Sequence, residues 1–181
     1  SSEKLKLYKS TNMFNYIYYY LFIFIMSKTW GTPTWNLLHC ISLKVNDEYF
    51  SKNKDTILEV VNLIFKGLPC PDCSEHAVKT FTLNKNKVKT KDNLQKFLHY
   101  MHNDVNKRLK QKMHDISILK QYEKYDMKDV LEKWVVVYKP AKNIPKLMST
   151  NMHINFIRKK LIIYFQKNLQ YYSSSDDVTL I

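Results

Sequence analysis

The sequence predicts an all-α protein, and three observations support this class. The 181 residues include only two glycines, Gly31 and Gly67, whereas strand-rich folds depend on glycine in their tight turns. From Trp30 onward, apolar residues recur at spacings of three and four, which is the period of an amphipathic helix. The chain is 45% hydrophobic and 25% charged, an ordinary balance for a globular protein that buries a core.

The pattern predicts six helical segments with recognisable ends. Their expected bounds are about 32–45, 55–66, 70–81, 92–113, 117–137 and 149–172. The first segment begins with Thr32 as a cap and Pro33 in the first turn, and Gly67 ends the second. The third starts at Cys70, with Pro71 in its first turn, where a missing N–H costs little. The fourth is the clearest, because an apolar stripe runs from Leu94 to Leu109.

Segments of different character precede and follow these helices. Residues 13–26 are almost wholly apolar and aromatic, but they are shorter than the roughly 18–20 residues of a membrane-spanning helix. They indicate either a signal or anchor, or a leader or buried hydrophobic arm. Pro140 and Pro145 mark a linker before the last helix. We therefore expect a leader or arm at 1–27, a main domain at 28–138 and a C-terminal helical extension at 139–181.

The formal net charge of +13 raises the question of a nucleic-acid partner. The excess is nearly all lysine, since Arg108 and Arg158 are the only arginines, and arginine supplies the bidentate contacts of sequence-specific readers. A solvated basic surface is therefore favoured over a nucleic-acid site. The two isolated glycines also exclude glycine-rich phosphate loops, so side chains must hold any nucleotide cofactor.

The cysteines restrict the possible chemistry. Cys40 lies in an apolar periodic segment and is expected to be a packed thiol. Cys70 and Cys73 have the spacing of a redox pair or half of a zinc site. At a helix N-terminus the dipole favours the thiolate that disulfide exchange requires. The alternative is a zinc-stabilised helical module, in which His76 and a histidine of the fourth helix complete the site and a lysine-rich surface binds nucleic acid.

A polar stripe lies beside the apolar stripe of the fourth helix. It consists of His99, His102, Asn103, Asn106 and Lys110. Asparagine and histidine are weaker helix formers than lysine or glutamate, so this composition favours ligand binding over a solvated face.

Three strings together resemble one known family. The segment from Trp30 to His39 is similar to the W-x-x-L-H entry of the Erv/ALR family of FAD-linked sulfhydryl oxidases. Pro69-Cys70-Pro71-Asp72-Cys73 resembles its P-C-x-x-C, and the segment from His102 to Leu109 resembles its H-N-x-V-N-x-x-L. The strings occur in the family's order over roughly residues 28–125. The short form is most similar to the oxidases of large DNA viruses.

The resemblance implies a fold, a cofactor and an activity. The fold would be a four-helix bundle plus a short fifth helix, with FAD at the mouth of the bundle. Cys70 would be the catalytic sulfur that the substrate attacks, and Cys73 would pass two electrons to FAD, which O2 reoxidises to give H2O2. No metal ligand is expected. The implied cofactor-binding residues are Trp30, Gly31, Trp35, His39, Cys73, His102, Asn103, Val105, Asn106, Leu109 and Lys110.

The resemblance also implies partners and a place in the cell. The substrates would be dithiol proteins or a separate dithiol carrier, because the chain has no second cysteine pair. A homodimer through the first two helices is expected, and residues 13–26 could contact a membrane. A viral protein would act in the host cytoplasm or virion, and a cellular one in the mitochondrial intermembrane space or the endoplasmic reticulum. Thr32 stands where many members have arginine, which leaves the phosphate contacts there in doubt.

Overall fold

A computed structural model describes residues 29–138 and 148–172, with side chains of the last helix described from Met152 onward. The predictions for 1–27 and for the linker prolines lie outside these residues. The all-α class is confirmed, since the described part of the chain forms helices and no strand. Four helices, α1 to α4, form a bundle that a short α5 closes, and a long α6 packs outside it. The described helices are α1 (29–44), α2 (Asp47–Lys66), α3 (Pro71–Asn84), α4 (Lys91–Arg108), α5 (Met127–Val137) and α6 (Met148–Asn168).

The predicted starts of the first two helices are wrong. The backbone is already helical at residue 29, so Pro33 lies inside α1 beyond its first described turn, where proline removes one helical hydrogen bond. Helix α2 begins eight residues before the predicted Asp55, because Asn46 caps it by accepting a hydrogen bond from the N–H of Tyr49. A kink at Asn53, with φ −124° and ψ 21°, separates this first part from the predicted helix.

Gly67 ends α2 as predicted, but for a different physical reason. Its φ is −87°, so the residue does not use the left-handed conformation typical of a glycine stop. A Cβ built on Gly67 would lie 3.1 Å from Cγ2 of Ile157. Glycine therefore leaves room here for α6 to pack closely against the end of α2.

Helix α4 ends five residues before the predicted Met113. Lys110 has φ 54°, its N–H donates to the carbonyl of Lys107, and the N–H of Gln111 donates to the carbonyl of Asn106 at 2.7 Å. This pair of hydrogen bonds is the Schellman arrangement that closes a helix. A lysine holds the left-handed position in a chain with few glycines, so the sequence carries no visible stop signal there.

The segment predicted as one helix from Ser117 to Val137 is divided in two. A 3₁₀ helix covers Ile116–Tyr122, and α5 follows it. The division occurs at Asp126, whose side chain accepts a hydrogen bond from the N–H of Asp129 and so starts a new helix. The fifth helix is accordingly short, as the family resemblance implies. The hydroxyl of Tyr138 lies 2.7 Å from that of Thr34 and joins the end of α5 to α1.

Helix α6 packs antiparallel along α2. His153 and Ile157 lie at the end of α2, at Lys66 and Gly67, while the 3₁₀ turn Leu169–Tyr172 returns to its start, where the N–H of Asn46 donates to the carbonyl of Tyr171 at 2.7 Å. The predicted last helix is thus confirmed, and its inner face belongs to the common core. Fully buried core side chains include Leu37, Leu38, Ile41, Ile57, Ile64, Leu94, Leu98, Trp134, Ile157, Leu161 and Phe165.

Candidate functional site

The site begins with a disulfide at the N-terminus of α3. Cys70 and Cys73 are bonded to each other, and Cys70 is the cap residue of the helix. Its sulfur accepts a hydrogen bond from the N–H of Cys73 at 3.3 Å. The free N–H groups of a helix start stabilise negative charge, so the geometry favours the thiolate form of Cys70 once the disulfide opens. Cys70 is 7% exposed, and Cys73 is half-buried.

A hydrogen bond connects this disulfide helix to α4. His76 lies one turn after Cys73, and its Nε2 is 2.8 Å from Oδ2 of Asp104. Residues three apart share one face of a helix, so the face of α3 that carries Cys73 is turned toward α4. The structure therefore joins the helix that begins at the cysteine pair to the helix that carries His102 and Asn106.

Aromatic rings from α1 and α4 form a stack. The rings of Trp35 and His102 lie 4.1 Å apart between centroids with planes 8° from parallel. His39 lies one turn after Trp35, and its Nε2 is 3.0 Å from Nδ1 of His102. Tyr122 covers the other side of His39, with ring centroids 4.7 Å apart. The motif residues Trp35, His39 and His102 thus come together although 63 residues separate the two histidines.

Burial keeps the two stacked histidines neutral. Burial, with smaller like-charge contributions from His102 and His99, lowers the pKa of His39 to about 3. Burial also lowers the pKa of His102 to about 4, with smaller contributions from His114 and His99. Two neutral rings can share one hydrogen bond, whereas two imidazolium ions would repel each other.

One buried polar atom at the stack lacks a protein partner. Nδ1 of His39 is buried and makes no hydrogen bond within the described residues. Asn106, 7% exposed, lies one turn after His102 and adds a buried polar side chain. Buried polar groups are nearly always satisfied. A bound molecule with polar edges and a flat ring would supply the missing partner of His39, so these residues fit a cofactor such as FAD.

Asn103 has a different position from its neighbours in the motif. Its side-chain Nδ2 donates to the carbonyl of His114 at 2.8 Å, and its Oδ1 accepts from the N–H of His114 at 2.9 Å. His99 bonds the same carbonyl. Asn103 therefore fastens the segment after α4 to the helix, beside a cavity of about 470 Å³ lined by residues between Lys112 and Gln121. Its predicted contact with a cofactor stays a prediction.

The remaining predicted site residues lie around the stack and at the end of α4. Trp30 packs against the core. A Cβ built on Gly31, one turn before Trp35, would meet no atom of another described part of the chain within 4 Å. Val105 is half-buried, Leu109 is 37% exposed and Lys110 is exposed. The described surface is thus open beside Gly31, on the helix face that also carries Trp35 and His39.

Sequence reasoning misses two contacts of the site. It gives His76 only a structural or peripheral role outside the zinc alternative, and it does not single out the partner Asp104, although this residue lies inside the H-N-x-V-N string. Tyr122, which covers His39, lies in a segment that shows no motif. Cys40 is confirmed as a packed thiol, because it is fully buried and burial raises its pKa to about 11.

The described residues do not favour the zinc alternative. Within 29–138 and 148–172, no three histidine, cysteine, aspartate or glutamate side chains are grouped as a metal site requires.

Among the helices of these same residues, none combines the length and apolar content of a membrane span.

Comparisons with known proteins agree with the geometry. The model of the Erv1 / Alr family matches residues 32–135. A protein of African swine fever virus (isolate Pig/Kenya/KEN-50/1950), named FAD-linked sulfhydryl oxidase, is 29% identical over 114 residues, which cover 58% of this chain and 95% of that protein. A rice protein named FAD-linked sulfhydryl oxidase ERV1 is 30% identical over 79 residues, covering 44% of this chain and 41% of the rice protein. No solved structure matches. The family model spans more than half of the chain, and the chain belongs to the Erv1 / Alr family.

Proposed function

We propose that this protein is an FAD-dependent thiol oxidase, which forms disulfide bonds in substrate proteins and reduces O2 to H2O2. The observation that carries this proposal is the Cys70–Cys73 disulfide at the N-terminus of α3, joined through His76 and Asp104 to the helix that bears His102. Membership of the family and the names of the viral and plant relatives support the same activity.

The thiol chemistry needs only the two cysteines and the helix start. A substrate thiolate attacks the sulfur of Cys70, forming a mixed disulfide and releasing Cys73 as a thiolate. The second thiol of the substrate, once deprotonated, attacks the substrate sulfur of the mixed disulfide and displaces the Cys70 thiolate. The N–H of Cys73, 3.3 Å from the Cys70 sulfur, stabilises the departing thiolate. The substrate gains one disulfide, and the enzyme retains two thiols.

The cofactor would be held by side chains rather than by a glycine-rich loop. Trp35 and His102 offer flat ring faces, His39 offers a buried nitrogen without a partner among the described residues, and Asn106 offers a buried polar side chain. When bound, FAD supplies the two-electron acceptor that returns the cysteine pair to the disulfide and passes the electrons to O2. The other predicted contacts, from Trp30 to Lys110, belong to the same proposal.

The first test uses colour and one substitution. The purified protein should carry flavin, and Cys73→Ser should abolish H2O2 production from a small dithiol while flavin stays bound. Loss of flavin from Trp35→Ala, with an unchanged far-ultraviolet circular dichroism spectrum, would support the stack as the cofactor site. A colourless protein that folds normally and does not bind added FAD would contradict the proposal.

The roles of the two sulfurs can be separated with single-cysteine variants. Each of Cys70→Ser and Cys73→Ser, in a Cys40→Ser background, retains one site sulfur that can be converted to a mixed disulfide with 5-thio-2-nitrobenzoate. A dithiol should release this chromophore faster from Cys70 than from Cys73. Faster release from Cys73 would mean that the substrate attacks Cys73 and that Cys70 passes electrons to FAD. The comparison is informative because Cys70 is the less exposed of the two sulfur-bearing residues.

The finer statements about partners and organisation are also proposals. Substrates are dithiols in general, and a separate dithiol carrier is one candidate. The family resemblance favours a homodimer through the first two helices. Because α6 packs along α2, we propose that a dimer uses the surface of α1 and α2 that α6 leaves uncovered, which sedimentation equilibrium would test.

Domain limits and location complete the proposal. We propose a leader or hydrophobic arm at 1–27 that contacts a membrane through 13–26, an oxidase domain at 28–138 and a helical extension at 139–181. If the protein is viral, we propose the host cytoplasm or the virion as its site of action. If it is cellular, we propose the mitochondrial intermembrane space or the endoplasmic reticulum, and fractionation of expressing cells would distinguish these.

A further inference from the structure

Helix α6 is apolar on two opposite sides. Its inner face is buried, with Ile157, Leu161 and Phe165 each at most 1% exposed. Its outer face also carries large apolar side chains, because Met152 is 68% exposed and Phe156 is 55% exposed. A surface helix with one packed face normally shows polar residues on the other. The outer face of α6 therefore has the composition of a second contact surface.

The outer apolar residues form one stripe along the helix. Met152, Phe156 and Ile163, which is 53% exposed, are spaced by four and seven residues. At about 100° per residue they fall within roughly 40° of the helix circumference. The stripe runs parallel to the helix axis, so a flat partner would touch all three residues while the inner face stays packed on α2.

Lysines border this stripe and no acidic residue balances them. Lys159, Lys160 and Lys167 are exposed on the same side of α6, and Nζ of Lys160 lies 4.7 Å from the ring centroid of Phe156. In the sequence, residues 139–175 contain seven lysines and arginines and no aspartate or glutamate, which is more than half of the net charge of +13. The partner of this face must therefore be anionic as well as apolar.

The candidate occupants differ in how well they meet both requirements. A second copy of the chain would bring lysines against lysines across a two-fold axis, which is unfavourable. The apolar segment 13–26 carries no charge, so it would cover the stripe without neutralising the lysines. A nucleic acid would pair with the lysines, but its backbone offers nothing to Met152 and Ile163. An anionic lipid bilayer offers acyl chains to the stripe and headgroups to the lysines.

We propose that the outer face of α6 binds the surface of a membrane rich in anionic lipids, with the helix lying in the plane of the interface. This inference does not depend on the oxidase activity. It places the extension beside a lipid surface without any segment of the described chain crossing it.

The test is cosedimentation of the full-length, flavin-loaded protein with vesicles. Vesicles of phosphatidylcholine with about 30% phosphatidylserine should bind the protein at least tenfold more tightly than phosphatidylcholine alone. Lys159→Gln, Lys160→Gln and Lys167→Gln should each weaken binding about fivefold at low salt. The triple variant Met152→Ser, Phe156→Ser and Ile163→Ser should bind these vesicles at least tenfold more weakly than the wild type, and the binding that remains should come from 13–26.

Matched controls lie elsewhere on the surface. Leu83→Ser removes a side chain that is 70% exposed on α3, and Lys87→Gln removes an exposed lysine, so neither should change vesicle binding. Oxidation of a small dithiol should stay unchanged in all these variants, which shows that they fold. Equal binding of wild type and the triple variant would overturn the proposal. Tighter binding to duplex DNA than to the vesicles, or loss of a dimer in the triple variant, would do the same.

Discussion

Acid should destabilise this protein through two neutral histidines in the stack. In the folded chain burial lowers the pKa of His39 to about 3 and that of His102 to about 4, against about 6.5 in the unfolded chain. A proton therefore binds the unfolded chain more readily than the folded one. The stability that the neutral rings preserve is complete above about pH 6.5 and is lost as the pH falls from there toward the folded pKa values.

The size of the effect follows from these pKa values. Between about pH 7.5 and pH 5, each histidine loses about 2 kcal/mol of unfolding free energy, or about 4 kcal/mol together. Small domains have about 5–15 kcal/mol in total, so the loss is a large share of the stability. His99 and His114 lie close enough to repel the protonated rings, so they act in the same direction.

The measurement is urea unfolding of flavin-free protein at the two pH values, followed by far-ultraviolet circular dichroism. His39→Gln should shrink the loss by about 2 kcal/mol, and His102→Gln should shrink it by a similar amount. His153→Gln changes an exposed histidine on α6 and should keep the wild-type loss. If His39→Gln retains the full pH dependence, burial of the stack is not what keeps these rings neutral.

Three further predictions concern backbone and packing. Lys110→Gly should raise the unfolding free energy by about 1 kcal/mol, because glycine adopts the left-handed φ of 54° without a Cβ penalty; urea unfolding checks this, and a lower value would exclude strain at that residue. Gly67→Ala should lower stability by about 1 kcal/mol through its contact with Cγ2 of Ile157, and the loss should be smaller in an Ile157→Leu background, because leucine has no branch at Cβ. His76→Ala and Asp104→Ala should show a coupling of about 0.5 kcal/mol in a double-mutant cycle of stability. Each substitution should also change kcat more than KM. Additive effects on stability would show that the two side chains do not interact.

Helix positions could be predicted where the signal is local, and helix ends could not. The apolar stripe of α4 predicted the buried Leu94, Leu98 and Met101. Its end was misplaced because Lys110 takes the left-handed conformation that glycine normally marks. The early start of α2 was missed because its first turns pack against Tyr171 of the distant C-terminal turn, so no continuous apolar stripe is visible there.

The same distinction applies to the site. The motif strings identified Trp35, His39 and His102, because each of these residues is itself a fixed position of a motif. The hydrogen bond between His76 and Asp104 joins α3 to α4, and periodicity within either helix gives no information about a partner in the other. The direction of Asn103 was likewise not predictable, because its partner His114 lies in the segment after α4.

The stack explains how a chain with two glycines can hold a nucleotide cofactor. A glycine-rich loop presents backbone N–H groups to phosphate, whereas here two helices present ring faces, and helices hold side chains more precisely than loops do. The hydrogen bond between His39 and His102 uses one nitrogen of each ring, and the donor is whichever ring carries the shared proton. Nδ1 of His39 is then an acceptor if its own ring donates and a donor if His102 donates. In both tautomers the buried atom remains uncharged and unpaired among the described residues, so under the proposed function the polar edge of the cofactor would select the tautomer.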